Sequence, residues 1–574
     1  MLANRRAPVE CASNARIALC ADPVRYVHPV RQLTRFLPNA RFLAIDPLRL
    51  PAKLPAIAPE EADLWIVLID NQSPGLASTS FISPGQLGSL REGGFILRTL
   101  EADGVPVICV AGGGKTGVVY GVNELGKKVD RFAHARFQIP CLDQLESPGL
   151  PYRLLWTWDH STNWYLEQVG IQEIGAHNYY LKPKDGFLND YTRLVDFMSE
   201  NRIGGVTIYG FLRDNHGGIE SAKQLCQYAA ERGVRILPGV GINAYGGIYW
   251  EGEHRYNLTN WLKRNPGLRA VLGKPPAFHL PDVPQLWFPE NQYTDAACPS
   301  KPENARFHQE AIQWLAETFP IGGVNFEAGD YGTCQCAECT ARRQEDTTWS
   351  LRDMALLYPK LFEAATGGRK DLWLVCEAYW DNILDPEVLA PLAGLPDEAI
   401  YQFCINRSYW PRLRAGLTQE YVARLPRSQN ILRTHMGSQW NEERYELVAR
   451  RFADMAALAH ATGLKGMTIF GEVSAFNTVN EINYLAFARF TYNPRLSWED
   501  FVAGDLGPLF GGREEAEKYL SLLTVLSAQK RLNAAVGEAK EISSRLSGEP
   551  YRRWAWLQNR LMQKKAMLKE NHER

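Results

Sequence analysis

The chain has 574 residues, 45% of them hydrophobic and 22% charged, the composition of a globular protein several domains long. Its 63 Lys plus Arg against 64 Asp plus Glu leave a net charge of -1, which argues against nucleic acid or an anionic membrane surface as a partner. No apolar run reaches the roughly 18 residues of a membrane span, and the N-terminal MLANRRAPVECASNAR has no apolar signal-peptide core, so the chain as given reads as soluble and cytoplasmic, with a periplasmic or secreted location left open.

Residues 1–148 read as a small α/β domain, with strand-like runs at ARIALCA, DLWIVLID, GGFILRTLEADG and VPVICVAG and a helix signal from Val118 to Val129. The run AGGGKTG at 111–117 invites a phosphate-loop reading. That loop needs a glycine five residues before its Gly-Lys-Thr, where this chain has Cys109, so a strand-to-helix turn explains the glycines better.

After the linker SPGLPYR, apolar runs alternate with segments of helical periodicity such as YTRLVDFMSENR. Eight runs follow one another: LLWTW, GVTIYG, VRILPG, GVNFE, LWLVCEA, IYQFC, ILRTH and GMTIFGE. The predicted fold class is α/β, with a (β/α)8 barrel over 149–490 preceded by the small α/β domain and followed by a helical region at 491–574. The long insertion between Gly241 and Pro299, rich in Tyr, Trp, Asn and Gly, is expected to shape a binding site.

Barrel active sites are assembled from strand ends, and here nearly every strand ends in polar groups. The first run leads to Trp158, Asp159 and His160, the second to Arg213, Asp214 and His216, and the third to Asn243 and Tyr245. The fourth gives Glu327 and Asp330, the fifth Glu377 and Trp380, the sixth Asn406 and Arg407, the seventh His435 and then Trp440, and the eighth Glu472. Acids on several strands, ringed by aromatic and amide side chains, match glycosidic bond cleavage, which needs an acid for the leaving oxygen and a carboxylate as base, nucleophile or charge stabiliser. Glu327 closes an apolar strand, where poor hydration favours the protonated form, and is the acid candidate. Asp330 would shape its field or orient an N-acetyl or hydroxyl group, and Glu472 or Glu377 would take the second role. Trp158, Tyr245, Trp380 and Trp440 would stack on sugar faces, with Asp159, His160, Arg213, Asp214, His216, Asn243 and His435 bonding hydroxyls. Some of these acids are expected instead to pair with Arg213 or Arg407 as structural bridges.

Eleven cysteines, an odd number, do not suggest a disulfide framework. Cys334, Cys336 and Cys339 have the spacing C-x-C-x-x-C, consistent with three thiolates of a structural zinc site whose fourth ligand is Cys298 or a residue elsewhere. The alternative is reduced thiols in a tightly packed loop. The proposed chemistry itself requires no cofactor.

Family resemblances accompany these patterns. The segment GFILRTLEADGVPVICVAGGGKTGVVYGVNELGKKV, through Gly117, Tyr120, Gly121 and Leu125, resembles the domain that precedes the catalytic barrel in family 67 α-glucuronidases and many β-hexosaminidases. RLLWTWDHSTNW resembles the first barrel strand of the α-glucuronidases at Arg153, Leu154, Trp158 and Asp159. The segment EINYLAFARFTYNPRLSWEDF resembles the stretch that follows the barrel in the same group. Asp330 with its Cys-rich loop resembles the family 163 endo-β-N-acetylglucosaminidases. The family 20 hexosaminidases carry adjacent Asp-Glu at the fourth strand, whereas Asp330 is followed here by Tyr331. The resemblance implies a glycoside hydrolase acting on an N-acetylhexosamine- or uronic-acid-containing glycan. A non-catalytic carbohydrate-binding barrel and a zinc-dependent hydrolase are the alternatives.

Overall fold

The structure is a computed structural model. It describes residues 2–45, 62–73, 82–102, 104–132, 136–159, 184–244, 246–272, 296–327, 334–343, 353, 356–367, 369, 371–379, 390, 392–405, 414–426, 429–434, 447–470, 478–528 and 531–573.

Among the described residues ten strands precede the barrel: β1 (Leu2–Asn4), β2 (Val9–Ala12), β3 (Arg16–Cys20), β4 (Arg41–Ile45), β5 (Leu64–Asp70), β6 (Phe95–Ala102), β7 (Val105–Gly112), β8 (Asp130–Phe132), β9 (Arg136–Ile139) and β10 (Asp143–Glu146). One sheet runs β1-β6-β7-β5-β3-β4, with β10 also pairing with β6, and β2-β9-β8 form a second, three-stranded sheet. Every residue of the apolar β5 is buried, as a central parallel strand covered on both faces requires. Packing demands the glycines of the AGGGKTG run: a Cβ at Gly113 would stand 1.9 Å from the Arg91 carbonyl oxygen, and one at Gly117 would stand 2.1 Å from that of Gly94.

The eight apolar runs then form a closed parallel barrel: β11 (Tyr152–Trp158), β12 (Gly205–Tyr209), β13 (Arg235–Gly241), β14 (Gly323–Glu327), β15 (Trp373–Tyr379), β16 (Ile400–Ile405), β17 (Gln429–Thr434) and β18 (Gly466–Phe470). Pairing of β11 with β18 closes the ring. The strands read as continuous apolar runs because both faces are buried. Outward residues such as Leu155, Val206, Ile208, Ile236, Val324, Phe326, Leu432 and Met467 join one large core with the helices Lys184–Glu200, Gly218–Glu231, Pro302–Thr318, Tyr358–Thr366, Ala449–Thr462 and Thr478–Tyr492.

The barrel interior is layered. Leu154, Leu237, Val375, Ile400 and Ile431 make an apolar plug. Two residues further along the strands, toward their C-terminal ends, stand Trp156, Glu377, Gln402 and Arg433, so polarity enters the barrel at that level.

Three helices, Arg513–Ala528, Leu532–Ser544 and Gly548–Glu573, complete the chain, packed through the buried Tyr519 and Trp554. No helix among the described residues is long and apolar enough to cross a membrane. Arg202 joins the small domain to the barrel. Its guanidinium pairs with Glu124 (2.7 Å) and Glu146 and lies over the rings of Tyr492 (4.7 Å) and Phe95 (5.0 Å).

Candidate active site

The polar layer centres on one carboxylate. Glu377, in β15, is buried, and its Oε1 accepts from Trp156 Nε1 (2.8 Å), Asn325 Nδ2 (2.8 Å) and Gln402 Nε2 (3.0 Å), with the Tyr209 hydroxyl at 3.4 Å. Its Oε2 accepts from Arg433 Nη1 at 2.6 Å. Gln402 is oriented from behind, its Oε1 accepting from Thr468 Oγ1 at 2.6 Å, and Arg433 lies 4.9 Å from the Trp156 ring centroid. Seven barrel strands thus contribute to one interior network, the arrangement that keeps a buried charge compensated.

Glu327 is the last residue of β14, in register with Gly241 of β13, and is 2% exposed. It meets Glu377 through Tyr209. Asn325 Nδ2 donates to the Tyr209 oxygen at 2.8 Å, leaving the phenolic proton for an acceptor. Burial, followed by the charges of Glu327 and Glu377, holds that phenol well above its ordinary pKa, so Tyr209 stays protonated. Space for its ring exists because residue 239 is glycine, where a Cβ would fall 2.4 Å from the ring.

Aromatic rings stand around these groups. Trp156 and Trp158 meet edge to face at 5.1 Å, Tyr209 stands 4.4 Å from Trp156, and Trp250 closes on Trp158 at 5.7 Å. Beside them, Asp159 is fully buried between a guanidinium and an imidazole, with Arg213 Nε at 3.1 Å and His216 Nε2 at 2.9 Å. His216 stacks on Phe187, and Arg213 lies over Trp250.

The structure therefore sorts the sequence-derived candidates. Glu327, Glu377 and Trp158 gather around the barrel interior. Asp159, Arg213 and His216 turn toward one another, which bears on their expected role as separate hydroxyl ligands, since each already has a polar neighbour in this group. Asp214 accepts from the Tyr249 hydroxyl. Asn243, with a left-handed φ of 71°, receives the Ala297 amide on its carbonyl at 2.8 Å and holds His308 Nε2 at 3.1 Å from its side-chain oxygen. It braces the long insertion. Asp330, Glu472, His160, Tyr245, Trp380, His435 and Trp440 lie outside the described residues, as do Asn406 and Arg407.

Tyr209, Asn325, Gln402 and Arg433 were not singled out from the sequence. The signal was present: each is a polar or amphipathic side chain interrupting an apolar strand at an inward-facing position. A separate cluster, away from this network, unites Cys298, Cys334, Cys336 and Cys339, whose sulfur atoms all lie within 4.8 Å of one another.

No protein-family model matches the chain, and no curated protein is similar to it. Solved structures share its fold. A GH20 exo-β-N-acetylglucosaminidase from Vibrio harveyi, in complex with N-acetylglucosamine, aligns over 91% of this chain and 76% of its own with a TM-score of 0.51 at 11% identity. The β-N-acetylhexosaminidase from Bacteroides fragilis aligns over 88% and 92% with a TM-score of 0.52 at 12% identity. A protein named CpGH84D aligns over 100% and 90% with a TM-score of 0.53 at 9% identity. At these identities the likeness is one of architecture: an eight-stranded parallel barrel within a chain of similar extent.

Proposed function

We propose that the protein is a glycoside hydrolase cleaving an N-acetylhexosamine-containing glycan at the C-terminal mouth of the barrel. The observation that carries this reading is the buried Glu327 at the end of β14, set beside a protonated Tyr209 whose ring packs with Trp156, Trp158 and Trp250. A carboxyl group in such a poorly hydrated, aromatic surrounding is suited to carry the proton for a leaving glycosidic oxygen. Tyr209 would hold that carboxyl in place.

Glu377 takes a positioning role in this reading. Its acceptor sites are filled by donors from five other side chains, so it orients Trp156, Asn325, Gln402 and Arg433 instead of attacking. The second catalytic carboxylate is then Glu472 or Asp330, by elimination among the strand-end acids. The hexosamine class is preferred over a uronate because the architectural neighbours are named as N-acetylhexosaminidases.

The test is a panel of aryl N-acetylhexosaminides, aryl uronides and N-acetylglucosamine-containing oligosaccharides, with products followed by NMR. Glu327→Gln should lower kcat about 100-fold or more on natural glycosides and much less on aryl glycosides, whose leaving group needs little protonation. An unchanged kcat on every active substrate would sink the assignment. Ligand-induced thermal stabilisation without turnover by the unmodified protein would support a binding barrel in its place.

A further inference from the structure

We propose that Cys298, Cys334, Cys336 and Cys339 form a tetrathiolate site for a structural zinc ion that clamps the loop after β13 to the loop after β14. The geometry comes first. The Cys298 sulfur stands 3.8 Å from those of Cys336 and Cys339 and 3.6 Å from that of Cys334. A disulfide would need about 2.05 Å. Four sulfurs about 2.3 Å from a shared tetrahedral centre stand about 3.8 Å apart. The spacing is that of ligands around an ion, and all four sulfur atoms lie within 4.8 Å of one another.

The surroundings fit thiolates better than thiols. The Val271 amide donates to Cys334 Sγ at 3.3 Å, Arg342 Nη2 points at Cys339 Sγ at 3.4 Å, and Ser300 Oγ lies 3.0 Å from the same sulfur. Arg342 is fixed in turn by Asp353 at 2.7 Å. N–H donors and a cation around the sulfurs disperse the net negative charge that four thiolates leave on a divalent ion, the usual outer support of such a site.

Local packing is too thin to explain the cluster otherwise. Cys298, Cys334 and Cys339 are buried, but they form a core of their own, joined only by Cys336 and Ala270 among the described residues. The backbone is tied across the same place by single bridges, Arg269 with Ala297 and Leu272 with Cys334. A metal ion would supply the cohesion that apolar contacts do not.

With four thiolates the coordination shell is closed, so a zinc held here has no open position for water or substrate and is structural, not hydrolytic. Its role follows from chain order. Glu327 is anchored by the barrel, and a metal on Cys334, seven positions further along, would tie the chain beyond β14 to the segment that carries Cys298.

The experiment uses the full chain, purified under reducing conditions without chelator. Elemental analysis should find about one zinc per chain, and X-ray absorption should report four sulfur ligands at about 2.3 Å. Cys336→Ser, at the most exposed of the four positions, should lose most of the bound zinc and lower the melting temperature by several degrees. Because that variant could fold poorly, the unmodified protein is also stripped of metal and titrated with Cd²⁺, which should restore the melting temperature with a thiolate charge-transfer absorbance at one equivalent. A folded, reduced protein that carries no zinc and takes up neither Zn²⁺ nor Cd²⁺ would overturn the proposal. So would iron at the site, or a disulfide among these cysteines in the freshly isolated protein.

Discussion

Arg433 and Glu377 form a buried ion pair inside the barrel, with Nη1 2.6 Å from Oε2 and both side chains less than 5% exposed. The pair binds β17 to β15 across the intervening β16, and the other carboxylate oxygen collects donors from β11, β14 and β16. Removing either partner alone strands a charge where water does not reach. Arg433→Met should therefore destabilise the protein by about 3–5 kcal/mol in chemical denaturation. The double variant Arg433→Met, Glu377→Met should recover part of that loss but not all, because Trp156 Nε1, Asn325 and Gln402 would still lack their acceptor. A double variant no more stable than Arg433→Met would show that the pair is not coupled in this way.

Tyr209 depends on a residue that has no side chain. Gly239 leaves the space its ring fills, and a methyl group there would overlap ring atoms at 2.4–2.6 Å. Gly239→Ala should push the ring off Asn325 and the two carboxylates, costing about 1–3 kcal/mol of stability as overpacking does. If Glu327 works as proposed, kcat should fall with it. Tyr209→Phe separates the two effects: it keeps the ring and removes the hydroxyl, and should lower kcat with KM nearly unchanged. A Tyr209→Phe enzyme with unaltered kcat would remove Tyr209 from the reaction.

The contrast between these residues shows what the sequence could convey. The barrel strands were legible because a strand buried on both faces must be apolar almost throughout, and all eight runs stand where that pattern placed them. Glu327 was legible because it ends such a run. The short strands of the small domain, β1, β2, β8, β9 and β10, are three or four residues long, too short for periodicity to register. The interior network was hidden for another reason. Gln402 and Arg433 are ordinary polar residues until the parallel register brings them beside Glu377, 25 and 56 residues away in sequence. The fourth cysteine was only half legible: Cys298 was one option for the fourth ligand beside a residue elsewhere, because it lies 36 residues before Cys334 and the fold is what brings their sulfurs together.

Arg202 tests the join between the small domain and the barrel. It occupies a left-handed backbone position (φ 64°) and is 5% exposed at its side chain, between Glu124 and Glu146 with Tyr492 beneath. Arg202→Ala leaves Glu124 buried without its strongest partner and should cost about 3–5 kcal/mol. Calorimetry should show the small domain unfolding at lower temperature than the barrel in this variant. A single transition at the unmodified temperature would mean that the join is carried elsewhere. Arg202→Gly should be less harmful than Arg202→Ala, since glycine accepts the left-handed backbone without strain.

Two buried histidines set the acid limit. Burial lowers the His308 pKa from 6.5 to about 4 and that of His28 to about 3, with nearby arginines adding to the effect at His28. Each is neutral in the folded state at pH 7, while the unfolded chain takes up a proton as pH falls below about 6.5. The unfolded state then binds more protons than the native one, so stability rises with pH in this range and is lost on acidification from about pH 6.5 toward 4. For His308 the loss at pH 5 is about 2 kcal/mol relative to pH 7. His308→Gln, which keeps a donor for Asn243, should start from a lower stability at pH 7 and lose about 2 kcal/mol less on going to pH 5, read from urea denaturation at the two values. Because Asn243 braces the insertion to the barrel, protonation of His308 should open that region before the strands separate, and amide exchange at Ala297 should rise first. Equal pH slopes in the two proteins would place the acid sensitivity at other groups.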